Sequence, residues 1–226
     1  MPPKFQRGPG ASGFDEKYWE EYYSEPEEMD GMANAHLHAR YLKSLMDLEM
    51  ADVSSVIDFG FGLGELFKAI VKEFKPYRVQ GIEPSDYAFN KVTKKKLNVV
   101  AGTKLKLVQT DLVSWCRDNS ATEKWFDLGI CTSVFQYLSD EEIKYVLPIL
   151  SRSVKYLYFS VPTDRELRYQ ISDLEFHDKN AIRRGRTKYL KMLSPHFTVV
   201  GSRLLESKFH FKKDEDSPFS DFLFRF

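Results

Sequence analysis

Three glycines spaced two positions apart, Gly60, Gly62 and Gly64, follow the apolar run Val56-Ile57 and precede a second apolar stretch that opens at Leu66. Glycines in this arrangement let a chain turn through positive φ and let a ligand approach the main chain with no Cβ in the way. A helix leaving such a turn offers N–H groups at its start that have no partner inside the helix. Glu83, in Gly81-Ile82-Glu83-Pro84, lies nineteen positions after Gly64. That offset is close to the roughly 20 residues at which an acid grips a ribose in nucleotide-binding sheets. The two ribose hydroxyls are donors, and a carboxylate has the oxygens to accept both. A glycine-rich loop alone is a weak signal, and an acid at a strand end is often simply solvated. The loop and the acid together read as a ribose site.

Two classes of nucleotide compete for it. A dinucleotide site wants G-x-G-x-x-G, yet the sixth position counted from Gly60 is Glu65. A carboxylate at that helix start would repel a pyrophosphate. The spacing present is D-x-G-x-G-x-G, led by Asp58. Here the sequence resembles the class I S-adenosylmethionine-dependent methyltransferases, whose first motif has this form. The resemblance implies a ligand with a cationic sulfonium, a zwitterionic amino-acid tail and no phosphate, for which nearby acids are no obstacle. Thr110-Asp111-Leu112 is similar to the family's adenine-contacting motif, which implies Asp111 on the exocyclic amine and the Leu112 N–H on a ring nitrogen. The run Phe126 to Leu138 is similar to the family's fourth-strand segment, which lines the methionine end and faces the methyl acceptor. Four motifs in order, over about residues 35–226, carry the resemblance. The cofactor contacts it implies are Asp58, Gly60, Phe61, Gly62, Gly64, Glu83, Pro84, Asp111, Leu112, Thr132 and Ser133.

The sequence departs from the family pattern at two places. Phe61 stands where many relatives have a small residue or Cys, and a bulky ring there would narrow the methionine pocket. Gln136-Tyr137 stands where many have Glu-His or His-His, so a histidine base at that position is excluded. Tyr137 would serve as a base only if its pKa, normally near 10, were lowered. Methyl transfer is an in-line displacement in which alignment supplies much of the acceleration, and no catalytic residue is assigned.

The elements needed to place these residues alternate along the chain. Val53–Asp58 reads as a strand, Leu66–Phe74 as a helix, Arg78–Glu83 as a strand and Asp86–Lys95 as a helix. Lys104–Gln109, Phe126–Thr132 and Tyr156–Val161 read as further strands, separated by helices at Leu112–Asp118 and Asp140–Leu150. Strands alternating with helices of about ten residues predict a parallel sheet with right-handed crossovers. Phe197–Glu206 and Phe219–Phe226 read as two closing strands too close for a crossover helix, hence antiparallel. The expected fold is an α/β Rossmann-like doubly wound sheet, mostly parallel with an antiparallel C-terminal strand. One domain is expected over 14–226, after a disordered tail at 1–13, with a helical cap at 14–50 and a helical insert at 164–193.

The remaining candidates each carry two readings. The aromatic, acidic stretch Tyr18-Trp19-Glu20-Glu21-Tyr22-Tyr23 is either a lid over the cofactor, its rings attracting the sulfonium, or a helix pinned to the core. Arg40 either pairs with the methionine carboxylate or sits in a surface ion pair. His36, His38 and His177 are weaker candidates for bases. The RRGR run at 183–186 would meet an anionic substrate, or else is a solvated face.

The 226 residues carry 33 basic and 33 acidic side chains, which disfavours a nucleic-acid surface. Cys116 and Cys131 have no metal-ligand spacing and fit a reducing cytoplasm. No apolar run approaches the roughly 20 residues that span a bilayer. No Asn-Pro-Pro-Tyr-like tetrapeptide follows the fourth strand, which disfavours amino methylation of DNA bases or glutamine. The acceptor is expected to be a small molecule or a protein side chain. The rival readings are a cofactor-binding partner without methyl transfer and a nucleotide-dependent oxidoreductase.

Overall fold

The computed structural model describes residues 13–23, 30–95, 97–121, 125–174 and 178–219. Two helices come first, α1 (Glu16–Tyr23) and α2 (Ala35–Leu48). Strands and helices then alternate: β1 (Ser55–Phe59), α3 (Glu65–Phe74), β2 (Arg78–Ile82), α4 (Asp86–Lys95), β3 (Lys104–Val108), α5 (Leu112–Asn119), β4 (Phe126–Thr132), α6 (Asp140–Ser153) and β5 (Val154–Ser160). Two more helices, α7 (Asp164–Leu174) and α8 (Arg186–Leu193), lead to the hairpin of β6 (Phe197–Gly201) and β7 (Leu204–Ser207).

The seven strands form one sheet in the order β3-β2-β1-β4-β5-β7-β6. The first five pair in parallel, and β7 runs antiparallel to both β5 and β6. Every residue of β1 is buried, as expected of a central strand covered on both faces. Because successive side chains alternate across a strand, Val56 packs with Leu42, Met46, Phe67 and Ile70 on the side of α2 and α3. Ile57 and Phe59 pack with Trp115, Ile143 and Leu147 on the side of α5 and α6. Helix α3 is held to the sheet by the stripe Leu66, Phe67, Ile70 and Val71, the helical spacing of one buried face. Helix α6 begins at a capping box in which Ser139 and Glu142 satisfy each other's backbone N–H groups. The chain order reverses between β1 and β4, and an open parallel sheet binds ligands in the crevice at such a point, beyond the strands' carboxyl ends.

One sequence expectation about the sheet is corrected. Phe197–Glu206 is two strands, not one, because Ser202 and Arg203 turn the chain and Arg203 takes φ 63°. That left-handed turn is secured from elsewhere in the fold: the Arg203 carbonyl accepts the Phe159 N–H at 2.8 Å, and its guanidinium reaches Asp30 at 2.7 Å. The antiparallel pair therefore lies within 197–207. The strand expected at Phe219–Phe226 lies outside the described residues except for Phe219, which is buried. The expected tail likewise lies outside them, apart from Gly13.

Candidate active site

A cavity of about 170 Å³ sits at the carboxyl ends of β1, β2 and β4, roofed by α1. Its floor is the glycine loop. Gly60 holds φ 119°, and a Cβ there would come within 2.7 Å of Val134 Cγ2, so a side chain is excluded by both conformation and space. Gly62 lies under the roof, where an added Cβ would stand 3.2 Å from the Trp19 ring.

Two carboxyl groups are buried beside this loop. Glu83 is only 4% exposed. Its Oε2 accepts the Gly62 N–H at 2.8 Å and its Oε1 accepts the Ser85 N–H at 2.9 Å. Burial pushes its pKa up to about 7, against a smaller downward pull from those two N–H groups. Asp58 is pushed well above the usual carboxylate range, first by its own burial and then by the neighbouring Glu83. Asp111 caps α5: its Oδ1 accepts the Ser114 N–H at 2.8 Å and its Oδ2 the Ser114 hydroxyl at 2.7 Å. After β4 the chain bends at Ser133, φ 54°, and continues through a short 3-10 turn at Phe135–Tyr137 under the cavity.

The roof is built from aromatics. Trp19 Nε1 donates to the Ser85 hydroxyl at 2.8 Å, and that hydroxyl donates to the Phe14 carbonyl at 2.6 Å. Phe14 meets Tyr137 edge to face with ring centres 4.7 Å apart. The Tyr18 and Tyr137 hydroxyls lie 3.0 Å from each other, and Tyr137 donates to Asp178 Oδ2 at 2.5 Å. The lining includes five carboxylates, those of Asp30, Asp58, Glu65, Glu83 and Asp111, and no Lys, Arg or His among the described residues.

Residues 56–156 match the family model described as a methyltransferase domain. The matched segment, 101 of the 226 residues, is similar to methyltransferase domains. No curated protein matches the sequence. Among solved structures, the fold is similar to N-methyltransferase NodS from Bradyrhizobium japonicum WM9 in complex with S-adenosyl-L-homocysteine, at 14% identity and a TM-score of 0.57, covering 80% of this chain and 89% of that one. The plantazolicin methyltransferase BpumL, in complex with a pentazolic desmethylPZN analog and the same homocysteine product, aligns at 19% identity and a TM-score of 0.60, covering 76% of this chain and 66% of that one. Magnesium protoporphyrin IX methyltransferase (ChlM) from Synechocystis PCC 6803 aligns at 17% identity and a TM-score of 0.52, covering 79% and 84%. At these identities the likeness is one of fold.

Set against this methyltransferase frame, ten of the eleven expected contact residues line the cavity: Asp58, Gly60, Phe61, Gly62, Glu83, Pro84, Asp111, Leu112, Thr132 and Ser133. Gly64 does not. It is the N-cap of α3 at φ 81°, where an added Cβ would come within 2.9 Å of Val92, so this glycine serves the turn and the packing of α3 on α4. Phe61 lines the cavity, and its ring is buried and stacks on Phe67 at 5.8 Å. Tyr137 is corrected as a possible base: burial, then Tyr23, Tyr18 and Asp178, hold its phenol well above its ordinary value.

Arg40 and His36 are exposed on α2 and do not line the cavity. His38 instead bonds Asp30 at 2.8 Å and the Tyr158 hydroxyl at 2.5 Å, outside the cavity. His177 lies outside the described residues. Within RRGR, Arg184 is 3% exposed and pairs with Asp140 at 2.7 Å, donating also to the Phe135 and Leu138 carbonyls, so it braces the turn after β4. Sequence reasoning passed over Asp30, Ser85 and Asp178. A lone acid or serine in a loop has no periodicity or motif to mark it; only the fold brings these three to the cavity or its roof.

Proposed function

We propose that this chain binds S-adenosylmethionine in the aromatic-roofed cavity and transfers its methyl group to a small molecule or a protein side chain. The observation that carries the reading is the charge of the lining, which offers acids and rings and no cationic side chain among the described residues. Such a wall repels phosphates and attracts a sulfonium, through Coulomb attraction and the faces of the rings. When bound, this donor supplies a methyl group on positively charged sulfur.

The residues present fit it. Glu83 already accepts two N–H groups, and as an anion it has two further lone-pair positions for the two ribose hydroxyls. Asp111 keeps capacity beyond Ser114 for an adenine amine, and Leu112, the first residue of α5, has a main-chain N–H with no partner inside its helix. The bend at Thr132-Ser133 frames the methionine end. Tyr18, Trp19 and Tyr23 of α1 line the cavity, which supports the lid reading of the aromatic stretch. The names of the similar structures carry different acceptors, plantazolicin for one and magnesium protoporphyrin IX for another, so the fold alone leaves the acceptor open. Among the described residues no helix is long and apolar enough to cross a membrane. Two free, buried cysteines support a cytoplasmic setting.

Calorimetry with S-adenosylhomocysteine, NAD and ATP tests the reading. Micromolar or tighter binding of the homocysteine product alone is expected, and binding of NAD alone would overturn it. Incubation of labelled S-adenosylmethionine with a lysate separates an enzyme from a silent binding partner, since only an enzyme leaves label in a product.

A further inference from the structure

We propose that the methyl acceptor is an amine, whose ammonium form docks against the hydroxyl chain Tyr18–Tyr137–Asp178 and gives up its proton along it. This rests on the cavity being the methyl-transfer site, as set out above.

Tyr18 and Tyr137 both line the cavity, while Asp178 stands behind them and does not. The chain of hydrogen bonds has one direction at its far end. A carboxylate only accepts, so Tyr137 donates to Asp178 Oδ2 at 2.5 Å, and its oxygen is left to accept from Tyr18 at 3.0 Å or from a ligand. Asp178 is itself fixed, because its Oδ1 accepts the Asn180 N–H at 3.0 Å and Asn180 Nδ2 ties the same turn to the Gly13 carbonyl at 2.9 Å. The cavity thus presents a hydroxyl oxygen backed by a carboxylate, within a wall that holds no cation among the described residues. A carboxylate or phosphate acceptor is repelled by that wall. An alcohol enters uncharged, so the acidic wall does not attract it, and it holds its proton more tightly than an ammonium does. An ammonium is attracted, and it needs to release one proton to expose its lone pair.

The proton balance closes without another reactant. As an ammonium N–H proton passes to the Tyr137 oxygen, the Tyr137 proton passes to Asp178, which becomes a neutral acid. The freed nitrogen lone pair forms the bond to the methyl carbon, the carbon–sulfur pair stays on sulfur as a thioether, and Asp178 returns its proton to water. Tyr137 relays and is never a free phenolate. Asp178 acts through Tyr137 and is a positioning residue.

The test compares S-adenosylhomocysteine with sinefungin, whose ammonium-bearing carbon replaces the methylated sulfonium, by calorimetry on the full chain. Sinefungin is expected to bind at least about tenfold more tightly than the homocysteine product, about 1.4 kcal/mol. Asp178→Asn and Tyr137→Phe should each bring that ratio below about threefold while the product's own Kd moves less than about twofold, a selectivity that mere structural damage would not give. The Asp178→Asn side chain retains the oxygen that Asn180 uses, and Tyr137→Phe carries the test if the first variant does not fold. A ratio near one in the wild type, or one unchanged in both variants, overturns the proposal. Failure of the wild type to bind either ligand overturns the cofactor reading itself. In the lysate experiment, label recovered as N-methyl supports the amine, and label found only on oxygen or carbon overturns it.

Discussion

Replacing Glu83 with Gln tests the proposed ribose site at its most informative point, because the carboxyl group is both buried and hard to ionise. Its pKa of about 7 lies above the ordinary 4.5. Between those values the folded, ligand-free protein holds a proton on Glu83 that the unfolded chain has lost. The sign follows from linkage: stability of the ligand-free protein falls as pH rises from about 4.5 to about 7, by at most about 3 kcal/mol. The ribose needs the ionised form, since two N–H groups and two O–H groups together fill all the acceptor positions of a carboxylate. Binding therefore carries the cost of deprotonation below pH 7. One unit below, about one molecule in ten is ionised, a cost of about 1.4 kcal/mol.

The amide introduced by Glu83→Gln cannot ionise, and it places an NH₂ against either the Gly62 or the Ser85 N–H. Hydrogen bonds to a charged group contribute roughly 1.5–3 kcal/mol each, and losing most of two while sparing the cost of a buried anion leaves a net of about 2–3 kcal/mol. Near pH 8 the variant should bind S-adenosylhomocysteine roughly 30- to 150-fold more weakly than the wild type. Near pH 6 the gap should shrink about tenfold, because only the wild type depends on pH. Calorimetry in two buffers of different ionisation enthalpy reads both the affinity and the proton released, close to one per ligand near pH 6. A wild-type affinity that is flat across this range, or a variant that keeps the same slope, would refute the reasoning.

Gly60→Ala should lower the melting temperature by several degrees, since φ 119° and a contact at 2.7 Å to Val134 together cost about 1–3 kcal/mol. A thermal melt unchanged from wild type would show that the loop relaxes. Arg184→Met should destabilise by about 2–4 kcal/mol in urea unfolding, because two carbonyls and Asp140 lose a buried partner; Lys188, also paired with Asp140, limits the loss.

The sheet was legible because its signals are local. The strands at Phe126–Thr132 and Lys104–Val108 and the helix at Asp86–Lys95 follow from short apolar or alternating runs and from a proline or aspartate at their ends. The glycine loop was legible because glycine at such spacing has few other uses. Where a residue answers to distant partners the sequence is silent. Arg203 adopts a conformation more usual for glycine because Asp30 lies against it from a segment 173 positions away. Arg184 looked like part of a solvated basic run, yet one arginine in that run is buried while Arg183 and Arg186 are exposed. Gly64 matches the loop motif by spacing and still faces Val92, because the chain has already turned into α3 by that residue.

Net charge misleads in the same way. Equal numbers of acids and bases describe the whole chain, but a ligand meets only the lining. Even there the five acids are not equivalent. Asp30 pairs outward with Arg203 and Glu65 with Lys68, so their charges are largely balanced by neighbours. Among the described residues no ion pair reaches Asp58 or Glu83, and burial keeps both prone to hold a proton. Their charge is therefore latent. A cation entering the cavity, together with ribose hydroxyls, favours the ionised form of Glu83 and turns a buried, largely protonated carboxyl into the anion that retains it. A phosphate-bearing ligand offers no such exchange, since each carboxyl would have to stay protonated beside it. On the proposed function, selectivity for a cationic cofactor arises from groups whose ionisation depends on what they bind, which neither a charge count nor a motif can express.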